Sequence, residues 1–264
     1  MAVCHLAGDT LHHRLDFCFG DSPLQVSRIF PSYFQNAMAP TKLTIDIVSD
    51  VVCPWCYIGK RKLEAALALP QASELPKVEI RWHPFQLNPD LPETGVPRKQ
   101  YLEQKFGGPA RAAEIYERVG AAGKAVGLNL NFDGIKQQAN TLLAHALIAF
   151  AQQSPNNDAA NRIGNDVKER IMKAYFVDGL FIGDIDVLVD VAVAAGLDGK
   201  AARAYLDDPL ARKSVAQADA QARQMGVSGV PFFIFNQKVA VSGAQDPAAL
   251  LAAMQQAIQE TAAS

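Results

Sequence analysis

The stretch LTIDIVSDVVCPWCYIGKRKLEAALAL, residues 43–69, decides how the rest of the chain is read. From Lys42 its opening alternates apolar and polar residues, the two-residue period of a half-buried β-strand. Cys53-Pro54-Trp55-Cys56 follows at once. Beyond it Ile58, Leu63, Ala66 and Leu67 recur at helical spacing, with Pro54 at an early helical position and Pro70 as a stop. The two cysteines therefore sit at a strand-to-helix junction, Cys53 at or beside the N-cap. A second strand, Lys77 to Trp82, runs into the proline-punctuated HPFQLNPDLP of residues 83–92 and completes a β-α-β unit.

Downstream the pattern is helical for more than a hundred residues. In QQANTLLAHALIAFAQQ (137–153) Ala139, Leu142, Leu143, Ala146, Leu147 and Phe150 mark one buried face of a helix. Ile163, Val167, Ile171 and Tyr175 mark a second, Asp184 to Ala195 closing at Gly196 a third, and Lys200 to Leu206 a short fourth. Asp208-Pro209 is an N-cap and first-turn pair whose helix is expected to end at Gly226. FFIF and KVAVS, separated by Asn236-Gln237, read as a hairpin. Asp246-Pro247 opens a last helix with Leu250, Leu251, Met254 and Ile258 inward. The predicted order is β-α-β, helices, α-β-β-α.

Composition narrows the function classes. The 264 residues suffice for a substantial core, and 49% hydrophobic with 20% charged residues is that of an ordinary globular protein. With Lys plus Arg at 25 and Asp plus Glu at 27, the net charge of −2 gives no field to hold nucleic acid. No apolar run approaches the roughly 18 residues of a membrane helix. Cys4, Cys18, Cys53 and Cys56 are too few and too uneven for a secreted disulfide framework, and lack the second close pair of a structural zinc site. Residues 1–40 show neither the apolar core of a signal peptide nor the arginine-rich, acid-poor make-up of a transit peptide. They are expected to be a poorly ordered extension, with Met38 beginning the folded part and Cys4 and Cys18 carrying no chemistry.

SDVVCPWCYIGKRKLE (49–64), WHPFQLNP (82–89), ANTLLAHAL (139–147), AYFVDGLFIGDIDVL (174–188) and GVSGVPFFIFNQKVAVSGAQ (226–245) resemble the DsbA family of thiol/disulfide oxidoreductases, specifically its FrnE-like branch. The resemblance runs from Lys42 to Gln256. Tyr57, where a haem-attachment motif has His, removes the c-type haem reading of the CxxC. The fold class it implies is α/β, a thioredoxin fold whose mixed β-sheet is flanked by helices, with a large all-helical insertion domain. Residues 41–96 and 208–264 form the two parts of the thioredoxin-like domain, residues 97–207 the insertion, and residues 1–40 lie outside it. The resemblance also implies a cis Val230-Pro231 peptide facing the CxxC, where the Val230 backbone can bond a substrate strand, although cis is only about 5–6% of X–Pro bonds.

Thiol chemistry needs a thiolate, and a cysteine at a helix N-terminus receives one from the unpaired first-turn amides and the helix dipole. Cys53 is thus the expected attacking thiol and Cys56, one turn on and more buried, the resolving one, with Pro54-Trp55 tuning the potential. No bound cofactor and no metal are expected. The redox group is the Cys53–Cys56 disulfide, its substrates are proteins bearing thiols or disulfides, and glutathione is a candidate co-substrate. Asp50 either relays a proton or caps the turn. His83 and His145 are cleft candidates, though a lone His is more often structural. Asn140 and Thr141 lie with His145 on the less apolar side of their helix, which by resemblance covers the site. Trp55 and Phe232 offer apolar surface beside the sulfurs. Lys60, Arg61 and Lys62 read as a solvated face.

Two other functions fit the same fold. One is a glutathione-dependent isomerase or transferase similar to 2-hydroxychromene-2-carboxylate isomerases and kappa-class glutathione transferases, which usually carry a single Ser where this chain has Cys53; the intact pair favours redox. The other is a chaperone-like binding module in which the insertion makes a cleft for unfolded chains. Without an export signal the expected compartment is the cytoplasm. The oligomeric state is not written in the sequence.

Overall fold

A computed structural model describes residues 3–5, 41–153 and 157–263. The expectation of a poorly ordered leader over residues 1–40 lies outside the described residues, except for the backbone of Val3–His5, which forms a strand (β1). The chain then runs through β2 (Lys42–Ser49), α1 (Pro54–Leu67) and β3 (Lys77–Pro84). Pro70 does not simply stop α1: it opens a 3₁₀ turn over Pro70–Glu74. The following segment contains β4 (Val96–Pro97), α2 (Arg98–Phe106), α3 (Pro109–Lys124), β5 (Gln137–Gln138), α4 (Leu142–Ala151), α5 (Asn157–Phe176), α6 (Ile185–Ala194) and α7 (Gly199–Asp207). The chain closes with α8 (Pro209–Gln224), β6 (Phe232–Phe235), β7 (Val239–Ser242) and α9 (Pro247–Ala262).

The main sheet has the order β1-β7-β6-β2-β3, parallel between β2 and β3 and antiparallel elsewhere. This is the mixed sheet of a thioredoxin-like fold. β2 is central rather than half-buried: Leu43, Ile45, Ile47 and Val48 are all at most 1% exposed. Its polar positions are tied instead of solvated. Asn236 Oδ1 accepts from the Thr44 amide at 2.8 Å, and Asp46 Oδ1 lies 2.8 Å from His83 Nε2. Asn236 and Gln237, with φ of 48° and 56°, make the two-residue turn with both central residues left-handed that fits a tight hairpin.

β3 is a sheet edge whose outward backbone groups are capped by side-chain amides. Asn161 of α5 accepts from the Ile80 amide at 3.0 Å and donates to the Val78 carbonyl, while Gln152 accepts from the Trp82 amide at 2.8 Å and donates to its carbonyl at 3.0 Å. The edge is thereby closed to pairing with another strand. α5 and α8 pack on β3, α4 packs on α5 and α8, and α1 packs with α9. One continuous core includes both cysteines.

Two further sequence expectations shift. The helix expected over residues 137–153 starts only at Leu142, because Gln137–Gln138 pairs antiparallel with Val96–Pro97, a short ladder inside the otherwise helical insertion. Asn140 therefore precedes the helix and Thr141 is its N-cap. Lys60, Arg61 and Lys62 are not a solvated face either. Lys60 Nζ lies 2.8 Å from Glu169 Oε2, Arg61 also pairs with Glu169, and Lys62 bonds Asp246 at 2.9 Å ahead of α9. Apolar periodicity cannot announce a charged face that finds its partners on distant helices. Among the described residues no helix is long and apolar enough to cross a membrane.

Candidate active site

Cys53 is the N-cap of α1, with extended backbone (φ −92°, ψ 111°) and Pro54 at the first helical position. Its carbonyl accepts from the amides of Cys56 at 3.0 Å and Tyr57 at 3.4 Å, and its own amide donates to the Asp50 carbonyl at 3.3 Å. The first turn holds no acidic residue, so no carboxylate competes with the sulfur for the dipole. Both cysteines are free thiols and both are buried, Cys56 more deeply. The Val230–Pro231 peptide is cis, and the Val230 carbonyl accepts from Cys53 Sγ at 3.7 Å.

The close approach of α1 to this peptide depends on Gly59, which the sequence reading passed over. A Cβ there would lie 2.9 Å from Pro231 Cγ and 3.3 Å from Phe233 Cζ, and a proline ring held between its cis peptide and β6 has little room to retreat. Overpacking of this kind costs roughly 1–3 kcal/mol, partly offset by the better helix propensity of Ala. Gly59→Ala is expected to lower the thermal midpoint by about 2–6 °C, read by circular dichroism; an unchanged or raised midpoint would show that the contact yields freely.

The two thiols are driven apart electrostatically. The Cys53 thiol is lowered, first by the hydrogen bond it receives from the Cys56 thiol and also by the amides of Cys56 and Trp55; burial and the nearby Asp50 charge oppose this. Burial pushes the Cys56 thiol well up, and donation to Cys53 raises it further. Lys168 of α5 pulls the other way. Its ammonium is 1% exposed, donates to Ser49 Oγ at 2.7 Å and sits 5.1 Å over the Trp82 ring. Burial lowers it to about 8, against the attraction of Cys56, Asp50 and Cys53. A sequence signal for it existed: Lys168 shares a helical face with Ile171, Met172 and Tyr175, all 0% exposed, where a lysine is out of place.

Asp50 is completely buried. Its Oδ2 accepts from the Leu87 amide at 2.8 Å and its Oδ1 lies 3.2 Å from His145 Nε2, within hydrogen-bond distance. Asp50 and His145 thus fasten the loop after β3 beneath the CxxC. Asn140 does the same from another side, bonding Gln86, the Leu91 carbonyl and the Leu142 amide. On α8, Asp219 accepts from the Gln86 amide at 2.8 Å, and Arg223 stacks on Phe85 4.1 Å from its centroid. A cavity of about 220 Å³ opens beside Cys53, walled by Pro54, Trp55, Leu87, Ile115 and Tyr116 among others. Trp55, 43% exposed, forms part of that wall. His83, Asn140, Thr141, His145 and Phe232 do not line it: His83 faces a recess along β3, and Phe232 packs beside Val230 against a small cluster with Phe85 and Val48.

A family model described as a DSBA-like thioredoxin domain matches residues 44–255. The chain belongs to this family. A probable DsbA oxidoreductase from Streptomyces coelicolor is 31% identical and superposes with a TM-score of 0.71, covering 83% of this chain and 91% of that one. The uncharacterized protein YwbO of Bacillus subtilis is 28% identical over 200 residues, 74% of this chain and 88% of its own length. The cytosolic disulfide reductase DsbM of Pseudomonas aeruginosa, solved with GSH, shares the fold at a TM-score of 0.52 and 19% identity, over 83% of this chain and 96% of DsbM. The DsbA-like protein thus carries a thiol–disulfide oxidoreductase fold, with its cysteine pair where the first strand meets the first helix of that fold.

Proposed function

We propose that this DsbA-like protein is a cytoplasmic thiol–disulfide oxidoreductase acting on protein thiols and disulfides, with glutathione as a co-substrate. Cys53 attacks and Cys56 resolves. In the reducing direction the Cys53 thiolate attacks a substrate disulfide, forms a mixed disulfide and expels one substrate sulfur as thiolate. Cys56 then gives up its proton and attacks Cys53 Sγ, expelling the second. The substrate gains two electrons and two protons, and the pair becomes a disulfide; oxidation runs the same steps backwards. Pro54 and Trp55 set the helix start and the apolar rim, and Val230 offers its backbone to an extended substrate.

The observation that carries this reading is the asymmetry of the pair: a lowered thiol at the head of α1 against the Val230 carbonyl, with a raised thiol one turn behind it. An isomerase of the single-Ser type would leave Cys56 without a task. The GSH in the DsbM structure supports glutathione as the small partner. A lowered attacking thiol stabilises the reduced state, which makes the disulfide more oxidising by about 30 mV for each 1.4 kcal/mol. The test is the redox equilibrium of the protein in glutathione buffers, with free thiols trapped and located by mass spectrometry. A reversible intramolecular Cys53–Cys56 disulfide is expected, its potential giving the direction of action. A stable glutathione adduct with no intramolecular disulfide overturns the dithiol mechanism.

A further inference from the structure

Arg98, the first residue of α2, is a buried cation held by neutral groups. It is 3% exposed, and among the described residues no carboxylate pairs with it. Its fork instead donates to neutral oxygens: Gln138 Oε1 at 2.7 Å, the Tyr175 hydroxyl at 2.6 Å and the Tyr116 hydroxyl at 2.9 Å. The guanidinium also lies 5.4 and 5.5 Å over the Tyr116 and Tyr175 rings, and its buried Nε has no hydrogen-bond partner among the described residues. Buried charges are ordinarily paired, so an arginine held by neutral groups leaves a positive potential in place.

That potential stands behind one wall of the cavity beside Cys53, because Tyr116 and Gln138 line that cavity. Arg98 can only donate, which dictates what its partners have left. Gln138 must turn its oxygen to Arg98 and Tyr175, leaving the amide nitrogen, which has no acceptor among the described residues. Tyr116 accepts from Arg98, so its own proton is likewise free. Among the described residues no acidic side chain lines the cavity; Arg98 stands behind its wall, and the exposed Lys105 is the cation of the lining itself. The charged residues that share an outer recess with Arg98 are Lys99, Lys136 and Asp133, and Lys136 bonds the Asp133 carbonyl rather than its carboxylate. The one negative group inside the cavity is Cys53 as thiolate, which loses its charge in the disulfide.

We propose that this wall is an anion subsite, taking the carboxylate of a thiol or disulfide substrate whose sulfur reacts at Cys53. The subsite rests on the dithiol reading of Cys53 and Cys56. The carboxylate is that of a small thiol such as glutathione or of an acidic side chain beside a substrate cysteine, and binding is tighter to the oxidised protein. In the step concerned the substrate thiolate attacks Cys53 Sγ, the S–S bond breaks, and Cys56 leaves as thiolate and takes up a proton. A second thiol releases the adduct as a small disulfide.

The experiment follows the opening of the oxidised protein's disulfide by 3-mercaptopropionate, 2-mercaptoethanol and cysteamine. Each rate is divided by that thiol's rate against a small linear disulfide, which removes intrinsic nucleophilicity. The anionic thiol is expected to lead the neutral one by on the order of tenfold, as for a hydrogen bond to a charged group, with the cationic thiol slowest. Arg98→Met is expected to bring the anionic-to-neutral ratio to one while the neutral thiol still reacts, a change that loss of packing alone does not produce. Tyr116→Phe, which keeps the charge and the ring, is expected to lower the ratio about threefold. It decides the matter if Arg98→Met does not fold. A wild-type ratio of one, or a ratio unchanged in the variant that folds, overturns the subsite and leaves the dithiol function standing. A disulfide that no thiol opens overturns the function and the subsite together. Glutathione outpacing its diethyl ester assigns the carboxylate to the small thiol, and a Cys-Glu peptide outpacing Cys-Gln assigns it to a protein segment.

Discussion

A Cys53→Ser protein is expected to exchange no disulfides above background, a loss on the order of 10³-fold or more, as for removal of an enzymic nucleophile. A Cys56→Ser protein is expected to attack substrate and remain joined to it. The difference follows from position: Cys53 heads α1 and lines the cavity, whereas Cys56 is 1% exposed and does not line it. Non-reducing electrophoresis and mass spectrometry read both outcomes, with the Cys56→Ser adduct on Cys53. An adduct on another residue, or turnover by Cys53→Ser, would reverse the assignment. The lowered Cys53 thiol also fixes the shape of the pH profile. Attack rises with pH up to the thiol's midpoint and is flat above it, and that midpoint lies below the ordinary cysteine range. Because the Cys56 thiol supplies the largest stabilisation, Cys56→Ala, which has no donor, is expected to move the midpoint up.

Lys168→Met is expected to give a more stable and slower protein. Burial lowers the ammonium from 10.5 to about 8, so at neutral pH the fold carries a charge that it disfavours. Between about pH 8 and 10.5 the folded protein has shed this proton while the unfolded chain retains it, so wild-type stability rises with pH across that window. Below pH 8 that gain is absent. Methionine removes the penalty and with it the rise. At pH 7 the gain is about 1–3 kcal/mol once the lost Ser49 bond and Trp82 contact are set against it, or about 3–8 °C in thermal midpoint. The same substitution withdraws the charge that draws the Cys56 proton off, so release of the mixed disulfide slows by about tenfold for each unit the thiol rises. Thermal melts across pH and stopped-flow release rates check both halves. A variant that is less stable at pH 7, or that releases substrate at the wild-type rate, would remove Lys168 from the redox machinery.

Local chemistry settles much of this molecule. The alternation from Lys42, the apolar spacing of 54–69 with Pro54 in the first turn, and the left-handed turn at Asn236-Gln237 act over a few residues, so the junction that carries Cys53 and the hairpin after Pro231 are legible directly. The same holds for α6 to α8, whose caps at Asp184, Asp198 and Asp208 bond their own first turns. What failed was whatever depended on a partner far along the chain. Gln137–Gln138 continues a helical pattern but pairs with Val96–Pro97, and Lys60 and Arg61 look solvated until Glu169 arrives from α5.

The site divides in the same way. By itself the sequence determined the fold class and the place of the cysteine pair at the head of a helix, since amide geometry and the dipole belong to that helix alone. Only the tertiary structure decided how the two thiols differ and what surrounds them. Burial, the Val230 carbonyl, the Asp50–His145 tie, the Lys168 charge and the Arg98 wall come from segments up to 177 residues away in sequence. Desolvation and Coulomb forces depend on distance in space, which no local pattern records.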